Sequence, residues 1–221
     1  MYNPTHFREN DPSAIRTLLS EIGFGTLITY GGRAGGGGDG GGLAATPVPM
    51  VYVPEEGTRG TLYGHVSRGN PQWRSADPAI EALALFLGPQ GYISPSWYET
   101  KRTGDGKVVP TWNYVAVEAR GRVRFFHEPE KLLPLVSDLT RRHEAGRAEP
   151  WSVSDAPADF IAAQLKGIVG FALTVERLEG KRKLSQNRVA ADRAGVVTGL
   201  AAAGEETLSQ LVAAADPDRS V

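Results

Sequence analysis

The sequence predicts an α+β fold, a mainly antiparallel, barrel-like sheet of six or seven strands with helices added. Three observations predict it. Short runs rich in β-branched and aromatic residues, bounded by Gly, Pro and Asp, fill most of the stretch from 24 to 127. After 127 the apolar residues recur every three or four positions, the period of an amphipathic helix. Hydrophobic residues make up 41% of the 221 and charged residues 22%, which is enough apolar material for a core.

Each element has a local cause. Asp11 followed by Pro12 opens a helix: the Asp side chain caps the first turn, and Pro occupies a position whose N–H has no helical partner. Ile15, Leu18, Leu19 and Ile22 then share one face, and Gly23 stops the helix. Strand-type runs follow at 24–30 and 45–53. Between them, 31–42 holds nine of the chain's 27 glycines and reads as a flexible glycine-rich loop. Its formal G-x-G-x-x-G at Gly36, Gly38 and Gly41 precedes a strand, whereas the phosphate-binding fingerprint opens a helix. Further strands are expected at 60–66, at 82–88, where the continuous apolar run suits a buried strand, and at 108–119 and 121–127, joined by a tight turn. Thr103 to Gly106 is a turn. A helix over 129–144 carries Leu132, Leu135, Val136 and Leu139 on one face, with Pro134 restricting its start or kinking it. A helix at 155–166, a strand at 170–176, short helices at 192–203 and 205–215 and a frayed tail complete the chain. No linker or repeat divides it, so 1–221 reads as a single domain with a C-terminal helical extension.

Composition excludes several chemistries. With no Cys there is no disulfide, thiolate metal site or Cys nucleophile. The four histidines are isolated in sequence, and none has metal-ligand spacing, so no metal is expected. The apolar runs fall far short of the ~20 residues that span a bilayer, and the first residues lack the apolar stretch of a signal peptide. A cytoplasmic protein with no membrane contact follows. Net charge is −1, and no reading helix is visible, so any nucleic-acid contact needs a local patch.

Four segments concentrate polar, aromatic and Pro/Gly residues: 64–74, 88–101, 109–117 and 180–193. Trp73, Trp97, Trp112 and Trp151 lie in or near such stretches. Trp and Tyr beside Ser, Asn, Gln and Lys suit an aromatic ring ligand with a polar or anionic tail; they equally suit bracing of the barrel ends. Residues 177–193 carry six positive and two negative side chains in a chain of net −1. Such a segment supplies charge-assisted donors to phosphate, or is a solvated basic surface, or meets nucleic acid.

At these segments the chain resembles the PaiB-type family of FMN-binding negative transcriptional regulators. The resemblance rests on MYNPTHFRENDP, FGTLIT, YGHVSRGNPQWR, GPQGYISPSWYETK, VPTWNYVAVEARG, LTRRHE with the following PW, and KGIVGFALTVERLEGKRKLSQNR. It implies a six-stranded, FMN-binding split β-barrel of the pyridoxamine-phosphate oxidase-like kind, and a homodimer with FMN in a groove at the dimer interface. By similarity, His65, Arg68 and Asn70 hold the phosphate or ribityl end. Ser94, Ser96, Lys101, Lys183, Gln186 and Arg188 offer further donors, and Trp112 and Asn113 line the ring. The chain departs from the family at Ala45 to Pro49, where members usually carry a His, in its glycine-rich insertion, and at Arg182, where an aromatic residue is usual. No residue is assigned as a catalytic acid or base. Two function classes stay open: a flavin-responsive regulator acting through a regulatory partner protein or weak DNA contact, or an FMN-dependent oxidoreductase.

Overall fold

The computed structural model describes residues 1–31 and 42–215. The glycine-rich loop expected at 31–42 therefore lies outside the described residues, apart from Gly31 and Gly42. The elements in chain order are β1 (Arg8–Glu9), α1 (Pro12–Ile22), β2 (Phe24–Gly31), β3 (Gly42–Val53), β4 (Thr61–Ser67), α2 (Gln72–Ser75), β5 (Ala82–Ile93), α3 (Glu99–Thr103), β6 (Thr111–Phe126), α4 (Pro129–Glu144), α5 (Ala158–Leu165), β7 (Ile168–Lys183), α6 (Ala190–Ala202) and α7 (Glu206–Ala214). The strands are ordered β1-β7-β4-β3-β2-β5-β6, and β6 also pairs with β7. Six strands thus close on themselves as a split barrel, and the two-residue β1 is the seventh, appended to β7.

Several boundaries differ from the sequence reading, each for a physical reason. The expected strands at 108–119 and 121–127 are one strand, β6. Gly121 is not a turn residue; a Cβ there would sit 1.8 Å from the Thr174 carbonyl oxygen, so the glycine admits the neighbouring backbone. The strand expected at 170–176 runs the full length of β7, and that at 82–88 continues to Ile93. The helix expected at 155–166 splits into a 3-10 turn, Val153–Asp155, and α5. Pro157 is the cause, since it forces Ala156 into the extended region (φ −93, ψ 151). The short α2 and α3 have too few residues for a periodic signal. The helix at 129–144 is continuous across Pro134.

The chain divides into two compact units. One comprises Leu19–Phe86 and Glu118–Leu178. Leu27, Leu62, Phe86, Phe171 and Leu173 fill its interior. Its ladders are antiparallel, with Tyr30 opposite Leu43 and Tyr63 opposite Ala172. Outside the strands, α4 lays Leu135 and Leu139 on Val51, with Tyr63 and Phe126 packed at the margin.

The other unit comprises Met1–Leu18, Leu87–Val117 and Glu179–Val221. The Ser13 amide donates to Asp11 Oδ1 at 2.9 Å, the expected cap of α1. Arg8 and Glu9 pair with Lys181 and Gly180. The α6–α7 hairpin turns at Gly204 (φ +82) and buries Val196, Leu200, Leu208 and Val212. No described helix is long and apolar enough to cross a membrane.

Candidate functional site

In the unit of Met1–Leu18, Leu87–Val117 and Glu179–Val221, the end of β7 and the turn after it carry Lys183, Gln186 and Arg188 and bond the start of β6 at Trp112 and Asn113. Lys183 leaves the strand with its Nζ donating to Thr111 Oγ1 and to the Trp112 carbonyl at 2.8 Å. Burial, reinforced by the like charges of Lys181 and Arg188, lowers the Lys183 pKa from its ordinary value. One residue along β6, Asn113 is 1% exposed and donates Nδ2–H to Ser185 Oγ at 2.8 Å. Its Oδ1 is buried and has no hydrogen-bond partner. Strand alternation turns Trp112 the other way; it is 52% exposed and meets Tyr92 edge-on at 6.4 Å. The Arg188 guanidinium lies 4.5 Å from the Tyr98 ring centroid.

The turn is built from its own side chains. Gln186 accepts from the Leu184 amide (2.7 Å) and donates to the Arg182 carbonyl (2.6 Å), so its carboxamide is engaged in shaping the chain. Ser94 and Ser96 bond each other at 2.6 Å, and Ser94 Oγ caps the Ser96 amide. Lys101 is exposed in the middle of α3, which α6 holds through Thr100. Asp192 accepts from both the amide and the hydroxyl of Thr100, each at 2.9 Å. Gly195 and Gly199 leave room for Trp97: a Cβ at Gly199 would meet its ring at 2.2 Å.

The other unit holds the remaining expected residues. His65, on β4 opposite Gly170, has a buried, unpartnered Nδ1, and burial lowers its pKa from 6.5. Arg68 donates Nε–H to the Lys166 carbonyl at 2.5 Å. Asn70 bonds Thr46 Oγ1 (2.9 Å) and caps the Gln72 amide (2.9 Å). Gln72, not anticipated from sequence, is the buried centre of this segment. Its Nε2 reaches the Leu27 carbonyl, Thr29 Oγ1 and the Ala44 carbonyl at 3.1–3.2 Å. It pins the segment after β4 to β2 and β3.

Thus Ser94, Ser96, Lys101, Trp112, Asn113, Lys183, Gln186 and Arg188 belong to one unit, and His65, Arg68 and Asn70 to the other. Within the first group Asn113, Lys183 and Arg188 keep capacity for a ligand. Sequence reasoning counted Lys181 and Ser185 among the donors of the basic segment but not their buried, structural positions, and it assigned no site role to Asp192 or Gln72. The buried Lys181 donates to the Tyr2 carbonyl (2.9 Å) and faces the rings of Tyr2 and Tyr114. These residues suit a flavin nucleotide. An orphaned buried carbonyl oxygen fits a hydroxyl or N–H donor of such a ligand, and two cations fit its phosphate. Among the described residues no cluster of His, Asp and Glu could hold a metal.

Comparison with known proteins bears on this chemistry. The family model described as "Putative FMN-binding domain" matches residues 1–177. Lys183, Gln186 and Arg188 lie beyond the matched residues. The protease synthase and sporulation protein PAI 2 of Bacillus subtilis is 32% identical over 197 residues, covering 89% of this chain and 87% of that protein. An uncharacterized protein of Aspergillus fumigatus is 37% identical over 180 residues, covering 67% of this chain and 69% of its own. The solved FAD and heme binding protein from Mycobacterium smegmatis superposes with a TM-score of 0.52, covering 80% of this chain and 73% of that one. At 17% identity, that likeness is one of fold.

Proposed function

The chain belongs to the FMN-binding domain family whose model it matches, and from that premise we propose a flavin-responsive regulator of the PaiB type. FMN is its cofactor, held by Asn113, Lys183 and Arg188. The observation that carries the site is the fixed Asn113 carboxamide, anchored on Ser185 with an unpartnered acceptor beside Lys183. When bound, FMN supplies the redox chemistry of its ring system. The chain's residues bind and orient: Asn113 Oδ1 accepts from a ribityl hydroxyl, and Lys183 and Arg188 meet the phosphate. Similarity to a B. subtilis protein named for protease synthesis and sporulation supports the regulatory reading. In this reading the protein works in the cytoplasm, through a partner protein or weak DNA contact.

A homodimer belongs to the same reading. In the unit of Leu19–Phe86 and Glu118–Leu178, Ile28, Tyr30, Leu43, Ala45, Leu83 and Leu85 form an uncharged patch of adjacent residues on β2, β3 and β5. Tyr30 is 45% and Leu43 79% exposed. A second copy offers an identical face that covers it without burying charge.

Titration of the purified protein with FMN and riboflavin tests the cofactor site. FMN is expected to bind about ten- to a hundredfold tighter, the value of a charge-assisted contact. Equal affinities would remove the phosphate contacts. Anaerobic NADH is expected to leave the bound flavin oxidised; bleaching would favour an oxidoreductase instead.

A further inference from the structure

A second cavity lies in the unit of Leu19–Phe86 and Glu118–Leu178, between the start of α4 and strands β4, β6 and β7. Its volume is about 500 Å³, and Tyr63, Arg124, Phe126, Lys131, Pro134 and Ala172 are among its lining residues. That size falls within the range of small-molecule sites. The floor is apolar and is built by design of the ladder. Tyr63 and Ala172 are direct neighbours across β4 and β7. The Phe126 ring lies over Gly170, where a Cβ would come within 2.3 Å of it. Only a glycine there lets the ring lie flat against the strands.

Two charges at the rim have no ion-pair partner among the described residues: the Arg124 guanidinium and the Glu56 carboxylate that Tyr63 bonds. Glu128 accepts from Lys131 Nζ at 2.7 Å and from the His127 amide at 2.8 Å. Those bonds, the Lys131 one first, hold its carboxyl down to about 2, so Glu128 and Lys131 remain a balanced pair. The Tyr63 hydroxyl donates to Glu56. Burial, then that bond, pushes the phenol up to about 12, so Tyr63 stays neutral. Arg124 has neither ion pair nor hydrogen bond among the described residues. A guanidinium is a planar fork that matches a carboxylate in two parallel bonds. An unpaired fork above an apolar floor specifies a ligand with one anionic end and one apolar body.

We propose that this cavity is a binding site for small aromatic monocarboxylates, with the carboxylate on Arg124 and the ring against Phe126, Pro134 and Ala172. Asn113, Lys183 and Arg188, the residues proposed above to hold FMN, belong to the other unit, whereas His65 lies two positions from Tyr63 on β4.

The test uses the full-length protein with phenylacetate as probe, read by saturation-transfer NMR and by titration. Saturable binding below about 10 mM is expected for a ligand of this size. Phenylacetamide, which lacks the charge, should bind at least about tenfold more weakly. Arg124→Gln, at an exposed position, should weaken phenylacetate by a similar factor while leaving the amide unchanged. Ala172→Leu, which fills the floor, should weaken both. FMN titration in parallel should show no change in either variant. No saturable binding, equal binding of acid and amide, or full binding by Arg124→Gln would each overturn the proposal.

Discussion

Ser185 is, among the described residues, the one non-glycine with a left-handed backbone, at φ +64. Such a conformation costs about 1–2 kcal/mol for a residue with a Cβ. The Oγ of Ser185 holds Asn113 in return, so the strain sits where the candidate site needs a fixed carboxamide. Replacing Ser185 by Ala keeps the strain and strands a buried N–H donor; a loss of about 1–3 kcal/mol is expected. Ser185→Gly loses the same bond but relieves the strain, so it should be about 1 kcal/mol more stable than the alanine variant in urea unfolding. Both should weaken FMN. His65 gives a second expectation. Burial depresses its folded-state pKa below the 6.5 of the unfolded chain. The unfolded state therefore binds more protons between the two values, and stability rises with pH through that window. Above 6.5 the contribution of His65 is fully present; it is lost as pH falls through the folded value. His65→Gln should flatten this part of the acid limb when unfolding is followed from about pH 7.5 down to about pH 5.

At the scale of elements, α3 depends on α6. Asp192 is buried, and its two acceptor bonds both go to Thr100. Asp192→Ala is expected to cost about 2–3 kcal/mol, since it orphans a backbone amide and a hydroxyl. Hydrogen exchange should show faster amides at Tyr98 to Thr103, and Arg188 should lose the ring it rests on. Legibility in the sequence followed the range of the interaction. The capped α1 and the amphipathic α4 were readable because their signals are three or four residues apart. Gly121 read as a turn because its reason, a close approach by Thr174, lies 53 positions away. The basic character of 180–193 was visible as composition. Which of its side chains face inward to the backbone was not: Gln186 looks like a ligand donor until its bonds to Leu184 and Arg182 are seen. The structural bonds of Asn70 and Gln72 were not readable for the same cause, since their partners at Thr46 and Leu27 are 24 and 45 positions distant.

For the whole molecule, the exposed apolar face on β2, β3 and β5 sets an expectation about assembly. Sedimentation should give a dimer, and Leu43→Lys should shift it toward monomer with little loss of monomer stability, because the residue is 79% exposed. A wild-type monomer would leave that face unexplained and the dimer reading wrong. The chain's path has a further consequence. Residues 2–9 find their partners at 179–182: Asn3 donates to the Gly180 carbonyl, Lys181 to the Tyr2 carbonyl, and Arg182 to Glu9. On the ribosome those partners arrive about 170 residues later, roughly 10–30 s at ordinary rates of synthesis. During that interval residues 2–9 lack these partners. A nascent chain stalled before 179 lacks the end of β7 and with it the partners that hold residues 2–9. A pause in translation within β7 therefore acts on residues 2–9 as well as on the strand being made.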